Sequence, residues 1–198
     1  MQTISLAATD GVPLEADLYP GGARAVVLLH GKVFDKESWA DTARGLSGRG
    51  LTVLVPNFRG YGGSGEGEAP AGYAADVAGA CAALRDRNAA SVSIVGASMG
   101  AIAAAKAVSE AMAGEIDRLV LMAPRAMARP EALRAAEVHF IVSRDESCFE
   151  DVAGFHAAAP DPKELHVFPG EAHAQFLFGS EHGPELSALL HRILADPR

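Results

Sequence analysis

Short apolar runs alternate with stretches of helical periodicity along nearly the whole chain, and this alternation restricts the fold more than any other feature. The runs are "AVVLLH" (25–30), "LTVLVPN" (51–57), "SVSIVG" (91–96), "DRLVLMAP" (117–124), "EVHFIVS" (137–143) and "KELHVFPG" (163–170). Each is too short for a buried helix, and most are apolar at consecutive positions, as expected of strands covered on both faces. Between them, helical spacing is predicted for Lys36–Arg49, Tyr73–Arg87, Ser98–Met112, a short piece at Pro130–Ala136, and Phe149–Ala158, with a last amphipathic helix at Glu185–Ala195. Ahead of these, "TISLAAT" and "VPLEADLYP" flank an Asp10-Gly11 turn and read as a hairpin. The pattern predicts an α/β fold: a mostly parallel sheet with helices on both faces, right-handed crossovers and an N-terminal antiparallel hairpin. No linker or repeat interrupts residues 1–198, so a single domain is expected, and the gap at 124–136 is too short for an inserted lid domain.

Composition narrows the partners. Apolar residues make up 49% and charged residues 21%, an ordinary balance for a globular protein, and the net charge is −8. No cluster of Lys and Arg forms a basic stripe, which argues against nucleic acid and anionic membrane. The N-terminus lacks a basic region followed by an apolar one, and no apolar stretch is long enough to span a bilayer, so a cytoplasmic protein is expected. Cys81 and Cys148 lack metal-ligand or redox spacing and read as reduced thiols.

One segment carries chemistry. "GASMG", Gly96 to Gly100, fits G-x-S-x-G and lies where a strand turns into a helix. A turn that sharp leaves its central residue in a strained conformation and crowds the positions two residues away, which glycine alone fits. Ser98 is then exposed at the carboxyl edge of the sheet. The Met99 N–H falls in the first helical turn, without an intrahelical acceptor and with the helix dipole favouring negative charge. The competing role for Ser98 is an N-cap.

A serine nucleophile needs a base. Of seven histidines, His139 and His166 lie inside strands and read as satisfied imidazoles, and His156, His182 and His191 read as solvated. His30 directly follows a strand. His173, in "FPGEAHAQFLF", lies in a loop past the last strand, on the edge where Ser98 emerges, and is the expected base. An acid must orient it, and "FIVSRDESCFED" offers Asp145 and Glu146 just after a strand. The loop opened by His30-Gly31 offers the backbone N–H of Lys32 or Val33 as a second donor to an oxyanion. A GxGxxG match at Gly60–Gly65 is not followed promptly by a helix, so it reads as a flexible turn near the site's rim rather than a nucleotide loop, with Arg59 and Asp76 as a stabilising pair.

Taken together, "VVLLHGKVFDKESWADTARGLSGRGLTVLVPNFRGYGGSG", "VSIVGASMGA", "FIVSRDES" and "VFPGEAHAQFLF" resemble, in order, the oxyanion-loop, nucleophile, acid and histidine segments of the α/β-hydrolase fold superfamily. The resemblance runs from about residue 24 to the end, and is nearest to small lidless dienelactone-hydrolase-like and serine-esterase-like members. It implies the chain order Ser, acid, His. It also implies that the acid falls three positions after the small residue ending its strand. With Ser143 in that role the acid is Glu146, with Asp145, one residue early, as the alternative.

The expectation is a serine hydrolase acting on a small acyl substrate: Ser98 as nucleophile, His173 as base, Glu146 (or Asp145) as acid, Met99 and Lys32 as oxyanion donors, and no cofactor or metal. Phe34, Phe176 and Phe178 are candidate walls of a shallow cleft. Thioesterase, peptidase or acyltransferase activity would use the same residues, and a non-catalytic binding protein on this fold is the reading from a different class.

Overall fold

The computed structural model describes residues 1–110 and 116–196. Strands β1 (Gln2–Ala7), β2 (Pro13–Tyr19), β3 (Arg24–Leu29), β4 (Thr52–Pro56), β5 (Ser91–Ala97), β6 (Ile116–Met122), β7 (Ala135–Ser143) and β8 (Lys163–Phe168) form one sheet in the order β1-β2-β4-β3-β5-β6-β7-β8. The first two pairings, β1 with β2 and β2 with β4, are antiparallel, and the rest are parallel. Burial follows position in the sheet. In β3 through β6 nearly every residue is buried, whereas the edge strand β1 alternates between exposed and half-buried.

The helices are α1 (Ala40–Ser47), α2 (Tyr73–Arg85), α3 (Met99–Glu110), α4 (Phe149–Ala158) and α5 (Gly183–Ala195). α1 packs on α5, and α2 packs on α3. Because β3 leads through α1 to β4 while its other neighbour β5 leads into α3, the chain leaves these adjacent strands toward opposite faces. Their carboxyl ends therefore open a crevice, the usual binding place in such sheets.

Local departures from the sequence reading have tertiary causes. The helix expected over Lys36–Arg49 is a 3-10 turn at Lys36–Trp39 followed by α1. The Lys36 N–H donates to Asn57 Oδ1 (2.8 Å), and its ammonium is buried against Glu37 (2.7 Å) and Asp17 (3.2 Å). Burial opposes that charge, but the hydrogen bonds to Glu37 and Asp17 outweigh it and push Lys36 up to about 12. The first turn is thus tied to β2 and β4 rather than free to follow the helix. At Pro130–Ala136 only Pro130–Ala132 is a 3-10 turn. Ala135 already pairs with Ile116, so ladder bonds claim the rest. The expected end of α3 at Met112 lies outside the described residues.

Among the described residues no helix is long and apolar enough to cross a membrane, and no lid domain is inserted. Cys81 and Cys148 are buried thiols.

Arg59 and Asp76 pair as expected. Both are buried, with the guanidinium Nε donating to Asp76 Oδ1 (2.9 Å) and the Arg59 N–H to Oδ2 (3.0 Å), while Asp10 takes the outer guanidinium nitrogen (2.8 Å). This fastens the loop after β4 to α2. Asp76→Ala leaves a buried cation with only its half-exposed partner and is expected to cost about 3–5 kcal/mol in urea denaturation. A loss below about 1 kcal/mol would mean that Asp10 alone satisfies Arg59.

Candidate active site

Ser98 sits between β5 and α3 with φ of +50°, a conformation unfavourable for a side chain other than glycine. Neighbouring backbone holds it there. Its N–H donates to Met122 O (2.8 Å) and its carbonyl accepts from the Ile102 N–H (3.0 Å). The flanking glycines are required sterically. A Cβ on Gly96 would lie 2.5 Å from Gly100 O, and one on Gly100 would lie 2.5 Å from Leu29 O. The second contact shows that the start of α3 rests directly on the end of β3, bringing the loop that follows β3 beside the elbow.

His173 lies between β8 and a 3-10 turn at Ala174–Gly179. Its Nε2 is 2.8 Å from Ser98 Oγ, and its Nδ1 contacts Glu146 Oε1. The imidazole is partly exposed and the Glu146 carboxylate is buried. The structure therefore joins Ser98, His173 and Glu146 in one hydrogen-bonded line. Asp145 is exposed and stands outside it, with its N–H donating to Gly170 O (2.9 Å).

The carboxylate is fixed from two further directions. The Ser143 N–H donates to Oε2 (3.3 Å), and the Cys148 thiol donates to Oε1 (3.5 Å). Burial, and then the nearby Glu146 charge, push that thiol up to about 11, so it remains a protonated donor. The Ser143 hydroxyl donates to Ala172 O (2.7 Å), tying the end of β7 to the residue before His173.

The loop after β3 is equally constrained. The Gly31 N–H donates to Gln175 Oε1 (2.7 Å), and Gln175 Nε2 donates to Ser38 Oγ (2.8 Å). The Tyr61 hydroxyl donates to Lys32 O (3.0 Å) and lies 3.6 Å from Met99 Sδ, spanning the loop and the start of α3. His30 is fully buried. Its Nδ1–H donates to Gly31 O (2.9 Å), and its Nε2 accepts from the Phe58 N–H (3.2 Å). Burial holds its pKa below the usual 6.5, so it acts as a neutral brace. Among the described residues neither the Lys32 N–H nor the Met99 N–H donates to a protein acceptor.

Of the candidate walls, Phe34 and Phe176 pack together with ring centroids 5.0 Å apart, and Val33 and Phe176 are exposed at 74% and 54%. Phe178 instead packs edge-on against buried Trp39 (5.5 Å). The glycine-rich loop expected to be a flexible turn is pinned at several points. The Ser64 hydroxyl donates to Asn57 O (2.8 Å) and accepts from the Glu15 N–H (3.0 Å), and the Gly65 N–H donates to Pro13 O (2.7 Å).

A family model described as the alpha/beta hydrolase family matches residues 26–195. The chain belongs to the alpha/beta hydrolase family. Solved structures of similar fold include an esterase from Exiguobacterium antarcticum (TM-score 0.79, 16% identity, 98% of this chain and 100% of that one). An esterase from Pyrococcus furiosus has a TM-score of 0.81 at 17% identity, covering 98% and 90%. A serine hydrolase without a lid from Xanthomonas campestris has a TM-score of 0.80 at 19% identity, covering 100% and 96%. At such identities these likenesses bear on the fold. No curated protein sequence matches the chain significantly.

Sequence reasoning did not find the supporting residues of this hydrolase. Gln175 follows His173 closely and could have been noticed as a polar residue in an otherwise apolar stretch. Tyr61 and Cys148 carry no comparable signal.

Two buried imidazoles and a half-buried one make stability pH-dependent. Burial is the largest cause lowering His30, His139 and His166 from 6.5. The unfolded chain therefore binds protons more readily than the folded one as pH falls below 6.5. The free energy of unfolding is expected to be fully expressed above that pH, and each such group removes up to about 1.4 kcal/mol per pH unit below it. Urea midpoints at pH 8, 6.5 and 5.5 check this, and a midpoint that rises on acidification would contradict it.

Proposed function

We propose that this alpha/beta hydrolase cleaves carboxylic esters or closely related acyl compounds through an acyl-enzyme on Ser98. The observation that carries the reading is the line Ser98–His173–Glu146, in which a hydroxyl raised on a tight elbow meets an imidazole whose far nitrogen rests on a buried carboxylate.

In this reading His173 Nε2 accepts the Ser98 proton as Oγ bonds to the acyl carbon. The negative charge moves to the carbonyl oxygen, where the Met99 and Lys32 N–H groups receive it. The C–O bond to the leaving group then breaks, and the imidazolium returns its proton to the departing alcohol. Water, deprotonated by His173, attacks the acyl-enzyme and releases the acid and the free serine. Glu146 stays ionised throughout, orienting the ring and stabilising imidazolium. None of these steps requires a metal or organic cofactor. Val33, Phe34 and Phe176 give the acyl group an apolar surface open to solvent, which suits short or medium chains, since each methylene gains about 0.8 kcal/mol only where a wall covers it. The esterase neighbours favour the ester among the acyl substrates. A small-molecule acyl partner agrees with the net charge of −8, and a cytoplasmic setting with the buried thiols of Cys81 and Cys148.

With a short p-nitrophenyl ester, Ser98→Ala is expected to reduce turnover to background with an unchanged circular dichroism spectrum. Glu146→Gln should lower kcat about 10⁴-fold, while Asp145→Asn should leave it near the wild-type value. Covalent capture of a fluorophosphonate at Ser98 is expected in the wild-type chain. Turnover retained by Ser98→Ala would remove Ser98 from the nucleophile role, and no capture would favour a binding protein on this fold.

A further inference from the structure

A second cluster of chemistry-bearing side chains lies on β7 and the edge strand β8, on the side covered by α5. In the ladder His139 pairs with Glu164, and Ile141 pairs with His166, so His139, Glu164 and His166 project from neighbouring positions of β7 and β8. His139 Nδ1 is 3.1 Å from His166 Nε2, which is 3.4 Å from Glu164 Oε2. The two rings are nearly parallel, with centroids 5.4 Å apart. One ligand atom from each of the three residues lies within 4.8 Å of the others. A tetrahedral zinc ion with bonds of 2.0–2.1 Å spaces its ligands about 3.3 Å apart. The observed separations already approach that spacing, and a cavity of about 230 Å³ opens beside them.

A second observation points the same way. His139 Nε2 is buried and has no hydrogen-bond partner among the described residues, although Glu137 Oε1 is 3.2 Å away, because the two are not aligned for one. A histidine that binds metal through one nitrogen almost always donates the other N–H to a carboxylate. Ligation through Nδ1 would fix the proton on Nε2, facing Glu137. Glu137 is held in turn by Arg118, whose Nε is 3.5 Å from Oε2 and whose Nη1 donates to Asp196 O (3.0 Å). Their charges balance, which makes Glu137 a support for the ligand rather than a ligand. Arg192 of α5 also lines the cavity and is itself exposed.

We propose that His139 Nδ1, His166 Nε2 and Glu164 bind one divalent zinc-type cation, with Glu137 orienting His139 and a fourth position open to water. Such an ion would clamp the edge strand β8 to β7, so its binding free energy adds to fold stability. The site is independent of the chemistry proposed at Ser98.

The test is titration of the metal-stripped full chain with Co²⁺, whose visible absorption reports tetrahedral coordination, followed by displacement with Zn²⁺. One saturable equivalent is expected, together with a rise in melting temperature. His166→Ala and Glu164→Gln, checked for folding by circular dichroism, should both lose the absorption. Glu137→Gln should weaken binding about 10–100-fold. His173→Ala should bind normally, which separates this cluster from Glu146–Cys148–His173, whose atoms also lie within 4.8 Å of one another. Glu164 is exposed, so Glu164→Gln decides the matter even where His166→Ala does not fold. No saturable band, a band surviving in Glu164→Gln, or a band lost in His173→Ala would overturn the proposal.

Discussion

The contact on which the site depends is the seating of the α3 N-terminus on the end of β3. Gly100 makes it possible, because any side chain there would strike Leu29 O, and Gly96 leaves room for the same turn from the other side. The close approach forces Ser98 into positive φ. The strain is borne by the sheet, through the bond from the Ser98 N–H to Met122 O. The hydroxyl is therefore placed by rigid elements, while the groups that meet it come from loops.

Those loops converge because buried polar groups lock each one to its neighbour. Gln175 joins the segment carrying His173 to the loop after β3 at Gly31, and Ser143 joins the end of β7 to Ala172. His30 braces the same loop from inside, and Tyr61 closes it against Met99. The bonds of Gly31 to Gln175 and of His30 are buried and those of Ser143 and Tyr61 to Met99 partly so; in a poorly solvated setting a satisfied network stiffens its members and an unsatisfied one is costly. Stiffness matters for the proposed chemistry, since stabilising an oxyanion depends on donors already in place when charge develops.

The outline of this fold was legible in the sequence because burial on two faces writes itself directly into β3 through β6 as continuous apolar runs. The elbow was legible for a comparable reason: a sharp strand-to-helix turn admits few residues on either side of Ser98. Legibility ended where tertiary contacts decide. Lys36 begins a 3-10 turn rather than a helix because its ammonium is drawn to Asp17 on another strand. Glu146 and Asp145 differ by one position, and only the folded end of β7 turns Glu146 inward to His173 and Asp145 out to solvent. His139 and His166 read as satisfied strand histidines and are hydrogen-bonded to each other, but that pairing was not legible, since the register that sets them 3.1 Å apart joins strands with a helix between them.

The central claim is that the Ser98 oxygen itself becomes acylated. Rapid-quench intact-mass measurement during turnover of p-nitrophenyl acetate, with peptide mapping, tests it most directly. The account predicts a transient mass increase of one acetyl group located on Ser98, formed and lost at rates compatible with turnover. Turnover with no covalent species, or an acetyl group found on another residue, would contradict it.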